Sequence, residues 1–104
     1  MAKESNAKDI TTIKTTINTY DDGTVVTESK EIKDGKTTKL PTVVHQNKMT
    51  RKKQSERLLV KQEKSTEYIY GDGSRIKNTR VWEVKGSGKN IEKTLVGEYV
   101  TTSK

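Results

Sequence analysis

Three Asp-Gly dipeptides punctuate this sequence and constrain its fold more than any other feature. They are Asp22-Gly23, Asp34-Gly35 and Asp72-Gly73. Asp-Gly favours a two-residue hairpin turn, because both central positions of that turn need a positive φ that Asp and Gly tolerate. Each dipeptide is flanked by Val, Ile, Thr or Tyr, which suit a pleated strand. The chain is therefore predicted to be mainly β and antiparallel.

Two-residue turns predict a register for the first half of the chain. The predicted partners are Tyr20–Val25, Ile17–Glu28 and Ile13–Ile32 in the first hairpin, and Ile32–Thr37 and Val26–Val43 in the second. Because side chains alternate between the two faces of a sheet, this register places five apolar side chains on one face: Ile13, Ile17, Val26, Ile32 and Val43. Residues 10–44 are thus predicted to form a three-stranded meander. Pro41 lies on its third strand, which we expect to be an edge or a bulge there.

The second half predicts another three-stranded meander. Residues 58–70, 75–85 and 92–102 have the composition of strands. The segment Tyr20-Asp21-Asp22-Gly23-Thr24 matches Tyr70-Gly71-Asp72-Gly73-Ser74 at an offset of 50. This match indicates either an internal repeat or two unrelated hairpins that share turn residues.

A basic segment, residues 45–57, separates the two halves. It lacks Gly and Pro and has Asn47 as a candidate helix cap, so it is expected to be a short basic helix or an exposed linker. Residues 1–9 are expected to be a flexible tail, with a first meander over 10–44 and a second over 58–104. The fold class predicted is mainly β, with two antiparallel meanders in one compact domain.

Composition predicts a thin core. The chain has 104 residues, of which 28% are hydrophobic, and it contains no Phe and one Trp. Trp82 is expected to anchor the core of the second half, and a thin core would gain stability from self-association. The absence of cysteine and of a long apolar run predicts no disulfide, no membrane span and no secretory signal. The expected location is the cytoplasm, or the host cytoplasm or a virion for a phage-encoded protein.

Positive charge is concentrated in the second half. The chain has 21 Lys and Arg against 14 Asp and Glu, a formal net charge of +7. Residues 1–44 are neutral overall, and within 45–61 six cations accompany one acid, Glu56. Such asymmetry indicates an anionic partner, or alternatively a solvated linker.

The hairpin at Asp72-Gly73 is predicted to combine aromatic and basic side chains. A two-residue turn would place Tyr70 opposite Arg75 and Tyr68 opposite Lys77, all four on one face. Tyrosines can stack on bases while cations contact phosphates, although the same pairs also occur as ordinary cross-strand packing. The predicted nucleic-acid-binding residues are Lys48, Arg51, Lys52, Lys53, Arg57, Lys61, Tyr68, Tyr70, Arg75 and Lys77.

No catalytic pattern is present in the sequence. His45 is the single histidine, whereas a catalytic triad or an imidazole metal site needs more partners. The segment Gly86-Ser87-Gly88-Lys89 lacks the spacing of a phosphate-binding loop. We therefore expect no enzyme activity, no cofactor and no metal site.

Two functions follow from these patterns. The first is a small basic accessory protein that binds DNA or RNA; its size and its threonine- and lysine-rich hairpins would suit a phage or a mobile element. The second is a β-rich structural subunit that forms a homo-oligomer or a larger assembly. Nucleic-acid binding should weaken steeply with salt, whereas assembly through edges and apolar patches should not.

Overall fold

The computed structural model describes residues 10–53, 56–86 and 89–103, and within these residues the regular structure consists of strands. There are seven: β1 Thr11–Tyr20, β2 Val25–Lys33, β3 Lys36–Lys39, β4 Val43–His45, β5 Leu59–Ile69, β6 Arg75–Lys85 and β7 Glu92–Ser103. The predicted mainly β, antiparallel fold is confirmed. The strands of the second half agree with the sequence prediction to within one residue.

All seven strands belong to one antiparallel sheet with the order β3-β2-β1-β5-β6-β7, and β4 also pairs with β2. The two halves meet where β1 pairs with β5. Strands β3 and β4 occupy the same edge of β2 in succession, interrupted at residues 40–42, which include Pro41. The predicted edge position and irregularity at Pro41 are confirmed, because proline has no N–H for the ladder.

The Asp-Gly turns are of two kinds. At Asp34-Gly35 both residues have positive φ, 53° and 76°, as a two-residue hairpin turn requires. The first turn instead has a three-residue loop: the Tyr20 N–H donates to the Thr24 carbonyl over 2.8 Å, and only Gly23 has positive φ. The turn at Asp72-Gly73 repeats this pattern. A three-residue loop with glycine in the left-handed region is the next commonest hairpin connection.

The longer loops overturn part of the predicted register. The predicted Ile32–Thr37 pair is present, but the first hairpin is shifted by one residue, so that Thr19 faces Val25 and Ile13 faces Glu31. A one-residue shift moves side chains to the other face of the sheet.

The predicted five-residue apolar face was therefore wrong. Ile13, Ile17 and Val43 lie on one face, whereas Val26 and Ile32 lie on the other. The irregular stretch around Pro41 adds a second shift, since Val26 pairs with Val44 and not with Val43.

The two halves share their hairpin geometry at an offset of 50. The Tyr20–Thr24 hydrogen bond has a counterpart between Tyr70 and Ser74, of 2.9 Å, and the β5–β6 register is the β1–β2 register moved by 50 residues. In the β1–β5 pair, Thr15 faces Ser65, also 50 residues apart. The hairpins are therefore arranged about a local pseudo-twofold axis; an internal repeat stays a hypothesis.

The segment between the halves is a linker in its described part, residues 46–53 and 56–58, where no α-helix forms. The helix alternative is not confirmed. Asn47 caps a turn instead, since its side-chain oxygen accepts the Met49 N–H. The predicted tail, residues 1–9, lies outside the described residues.

The sheet is a single layer with little core. Among the described residues, Val81 and Val84 are the buried apolar side chains, whereas Trp82 is only partly buried and was wrongly expected to be the core anchor. The Cα radius of gyration is 17.0 Å, compared with about 13 Å for a compact domain of this length. Both broad faces of the sheet are therefore accessible.

No helix among the described residues has the length and apolarity to cross a membrane.

Candidate nucleic-acid interface

Two of the predicted linker cations are bound to the first turn. The Lys52 ammonium lies 2.9 Å from the Asp21 carboxylate, and the Arg57 guanidinium lies 3.4 Å from the carboxylate of Asp22. The Asp22 side chain is fully buried and the Arg57 side chain is only 13% exposed. These two cations fasten the linker to the sheet, so the positive charge expected in this segment is partly neutralised by Asp21 and Asp22.

The buried Asp22 carboxylate is held ionised. Removal from water raises its pKa, but hydrogen bonds from Lys52 and Thr24 and the charge of Arg57 outweigh this and lower the pKa to about 2. The Lys52 N–H donates over 2.7 Å and the Thr24 N–H over 2.9 Å. The hydrogen bond from Lys52 likewise lowers the pKa of Asp21. The two aspartates therefore have a structural role: they hold the linker against the first hairpin turn.

The other predicted linker cations remain available to a ligand. Lys48, Arg51 and Lys53 are exposed, and their segment lies beside the tip of the first hairpin, where the Thr50 hydroxyl donates to the Asp22 carbonyl. These three side chains are near one another in sequence but belong to no strand.

The predicted aromatic and basic face on β5–β6 is not formed. Tyr68 faces Ile76, Arg75 faces Ile69, and Lys77 faces Glu67. Arg75 and Lys77 consequently lie on the opposite face from Tyr68. Tyr70 lies at the turn and Lys61 faces Glu83. The pairing prediction was wrong because the turn contains three residues.

The same register creates a different basic surface. Five cations lie on one face of five adjacent strands and form what we call the basic stripe: Lys39 on β3, Lys30 on β2, Lys14 on β1, Lys64 on β5 and Arg80 on β6. At about 4.8 Å between strands, the stripe extends about 19 Å across the sheet. All five side chains are exposed.

Like charges face each other along this stripe. Lys30 lies directly opposite both Lys14 and Lys39, and Lys64 lies opposite Arg80. Directly opposed like charges destabilise a sheet, with Cβ atoms only about 5 Å apart. Among the described residues, no carboxylate lies within 4.0 Å of the four lysine ammonium groups, whereas Arg80 pairs with Glu98 at 2.7 Å. The stripe is therefore a row of cations suited to an external anion.

The opposite face has a balanced charge. Counting the strand residues that the structure describes, the stripe face has six cations and two acids, and the opposite face has six cations and five acids. The pairs Lys61–Glu83, Lys77–Glu67 and Lys85–Glu92 are direct cross-strand partners on the opposite face. Lys93, the sixth cation of the stripe face, donates to Gln62. Counted this way, the stripe face has a net charge of +4 and the opposite face a net charge of +1, so the two faces differ in their number of acids and not in their number of cations.

A groove accompanies the β5–β6 part of the stripe. It has a volume of about 490 Å³ and lies on the stripe face, with Tyr68 at one end, Trp82 at the other and Lys64 and Arg80 between them. Thr66 and Asn78 supply neutral hydrogen-bonding groups to its lining, and Glu98, the partner of Arg80, also lines it. Both aromatic side chains are partly exposed.

Sequence reasoning missed all five stripe cations because they are not clustered in the sequence. Lys14, Lys30 and Lys39 come from the electrically neutral first half, and Lys64 and Arg80 lie outside the basic segment 45–61. A signal was nevertheless present: Lys14 and Lys64 are 50 residues apart, as are Lys30 and Arg80. The matching hairpins therefore place equivalent cations in equivalent positions.

Comparison with protein-family models, curated proteins and solved structures finds no match to this chain.

Proposed function

We propose that this protein binds nucleic acid without catalysing a reaction, and that the basic stripe contacts the phosphates. One observation carries the proposal: five exposed cations follow one another across five strands, and the four lysines have no carboxylate partner among the described residues. A polyanion would relieve their mutual repulsion and release its own counterions. The exposed linker cations Lys48, Arg51 and Lys53 would add phosphate contacts.

The test compares equal charge changes on the two faces. Lys30→Ala/Lys39→Ala removes two stripe cations from β2 and β3, whereas Lys33→Ala/Lys36→Ala removes two cations from the same strands on the opposite face. Oligonucleotide affinity is measured by fluorescence anisotropy at several salt concentrations. The stripe variant should lose affinity and lower the salt slope by roughly 1.4, at about 0.7 per single-strand phosphate contact. The control should remain close to wild type.

Two results would contradict this proposal. An equal loss in both double variants would mean that net charge, and not the stripe, governs binding. A wild-type protein that binds no oligonucleotide at low salt would remove nucleic acid as the ligand.

A second candidate function is self-assembly through β7. This 12-residue strand pairs only with β6 among the described residues, and Leu95, Val96 and Val100 on it are exposed by half or more. Long edge strands with apolar side chains are templates for pairing with another chain. The opposite edge is protected by short strands, lysines and Pro41.

Sedimentation across protein concentrations tests assembly. Val100→Lys places a charge on the free edge and should shift an oligomer toward monomer, whereas Val44→Lys on the opposite edge should not. A wild-type protein that stays monomeric at high concentration would exclude this candidate.

A further inference from the structure

We infer that the ligand of the basic stripe is a single-stranded nucleic acid whose bases stack on Tyr68 and Trp82. The inference rests on the proposed function and specifies its substrate class. The groove on the stripe face carries it, because aromatic side chains lie at both ends of a segment that is lined between them by Lys64 and the Arg80–Glu98 ion pair.

The spacing suits a ligand that is longer than one nucleotide. Tyr68 faces Ile76, and Trp82 lies six residues farther along β6, a separation of about 20 Å at 3.3 Å per residue. Lys64 and Arg80 lie opposite each other within this interval. The groove runs along β5 and β6 and therefore crosses the basic stripe at Lys64 and Arg80. A nucleic-acid strand following the groove would meet the Tyr68 ring, then Lys64 and the Arg80–Glu98 ion pair, and then the Trp82 ring.

The shape of the protein favours a single strand over a duplex. The major groove of B-DNA admits a helix or a two-stranded ribbon, whereas the stripe lies across the broad face of a sheet. Aromatic rings can stack only on bases that are unpaired and accessible, as in proteins that bind single strands on a sheet surface. Thr66 and Asn78 in the groove lining can hydrogen-bond to exposed base edges.

Trp82 provides a direct measurement, since it is the only tryptophan of the chain. Intrinsic fluorescence is recorded while the full-length protein is titrated at low salt with a single-stranded oligonucleotide, with the matching duplex and with an abasic oligonucleotide of equal length. Stacking predicts strong quenching by the single strand and little by the abasic strand. The single strand should also bind more tightly than the duplex.

Variants of Tyr68 test the other end of the groove. Tyr68→Leu keeps an apolar side chain but removes the ring, and should weaken single-strand binding roughly 5- to 150-fold, as expected for the loss of one stacked base. Tyr68→Phe keeps the ring and should bind like wild type. Tyr20→Leu, at the equivalent position of the first hairpin and outside the groove, is the matched control and should also bind like wild type.

The outcomes separate this inference from the proposed function. Salt-dependent binding with equal affinity for single strand and duplex, or equal quenching by the abasic strand, overturns the inference and leaves a phosphate-binding protein. Unchanged affinity in Tyr68→Leu also overturns it. Absence of binding to every oligonucleotide overturns both.

Discussion

At the residue scale, the Asp22 carboxylate is held by several contacts at once. Its side chain is fully buried, yet it accepts backbone hydrogen bonds from Thr24 and Lys52 and pairs with Arg57. A buried charge is tolerated only when it is paired and hydrogen-bonded. One side chain therefore shapes the hairpin turn and also holds the linker against the sheet.

Acid should weaken this arrangement in a defined pH range. The pKa of Asp22 is about 2 in the folded protein, below its ordinary value of 3.8. The ionised carboxylate therefore stabilises the folded state at pH values above about 4. This stabilisation is lost as the pH falls from about 4 toward 2. Asp22→Asn should be less stable at pH 7 and lose less stability between pH 4 and 2, as measured by urea unfolding.

Asp34→Asn is the control for this prediction, because it removes a turn carboxylate that is exposed and lies in the hairpin between β2 and β3. At pH 7 it should be destabilised less than Asp22→Asn. Parallel pH dependences for wild type and Asp22→Asn would contradict the assigned role of Asp22.

At the scale of the elements, hairpin loops decide which face each side chain occupies. In the three-residue loops the central aspartate accepts the N–H two residues ahead, from Thr24 in the first hairpin and Ser74 in the third. The following glycine adopts the left-handed conformation. Compared with a two-residue turn, these loops shift the strand register by one residue. The shifted register places Lys14 opposite Lys30 and Lys64 opposite Arg80.

Glycine substitutions in one loop should have different effects. Gly73 has a φ of 90° and open space where a Cβ would lie, so Gly73→Ala carries a backbone cost of about 1–2 kcal/mol and no steric clash. Gly71 lacks a positive φ and occupies the position of Asp21 in the first hairpin. Gly71→Ala should be neutral or slightly stabilising. Denaturant unfolding measures both variants, and equal destabilisation would contradict this account.

At the scale of the whole molecule, a single-layer sheet presents two broad surfaces that differ in charge. Its radius of gyration of 17.0 Å and its length of 55 Å describe an elongated molecule. Few apolar side chains are buried in the part of the chain that the structure describes, so the free energy of unfolding is expected to be small. Ligand binding should then add a substantial share of the stability.

Thermal unfolding measures this contribution. A ligand at 100 times its Kd adds about 2.7 kcal/mol to a folded protein, which for a domain of this size raises Tm by about 10 °C or more. A single-stranded oligonucleotide should produce this shift in wild type and in Lys33→Ala/Lys36→Ala. The same oligonucleotide concentration should produce a smaller shift in Lys30→Ala/Lys39→Ala. Equal shifts in the two double variants would argue against the stripe as the binding surface.

The sequence by itself determined the strands and the positions of their turns. Asp-Gly dipeptides and β-prone flanks act locally, through backbone conformation and side-chain shape, so they can be recognised without knowledge of distant contacts. The two-residue turn at Asp34-Gly35 and the irregularity at Pro41 were predictable for this reason. The same reasoning did not distinguish two-residue from three-residue loops, because both accept Asp followed by Gly.

The tertiary structure alone decided which charged side chains lie close together in space. Pairing of β1 with β5 joins two halves that are distant in sequence. It places Lys14 opposite Thr66, and therefore diagonally across from the Lys64–Arg80 pair. Contact with Asp21 and Asp22 partly neutralises a linker that looks strongly basic in the sequence. Electrostatic interactions depend on distance in space, whereas counting charges along the sequence detects only charged residues that are close in the chain. The basic stripe is consequently a property of strand order and register.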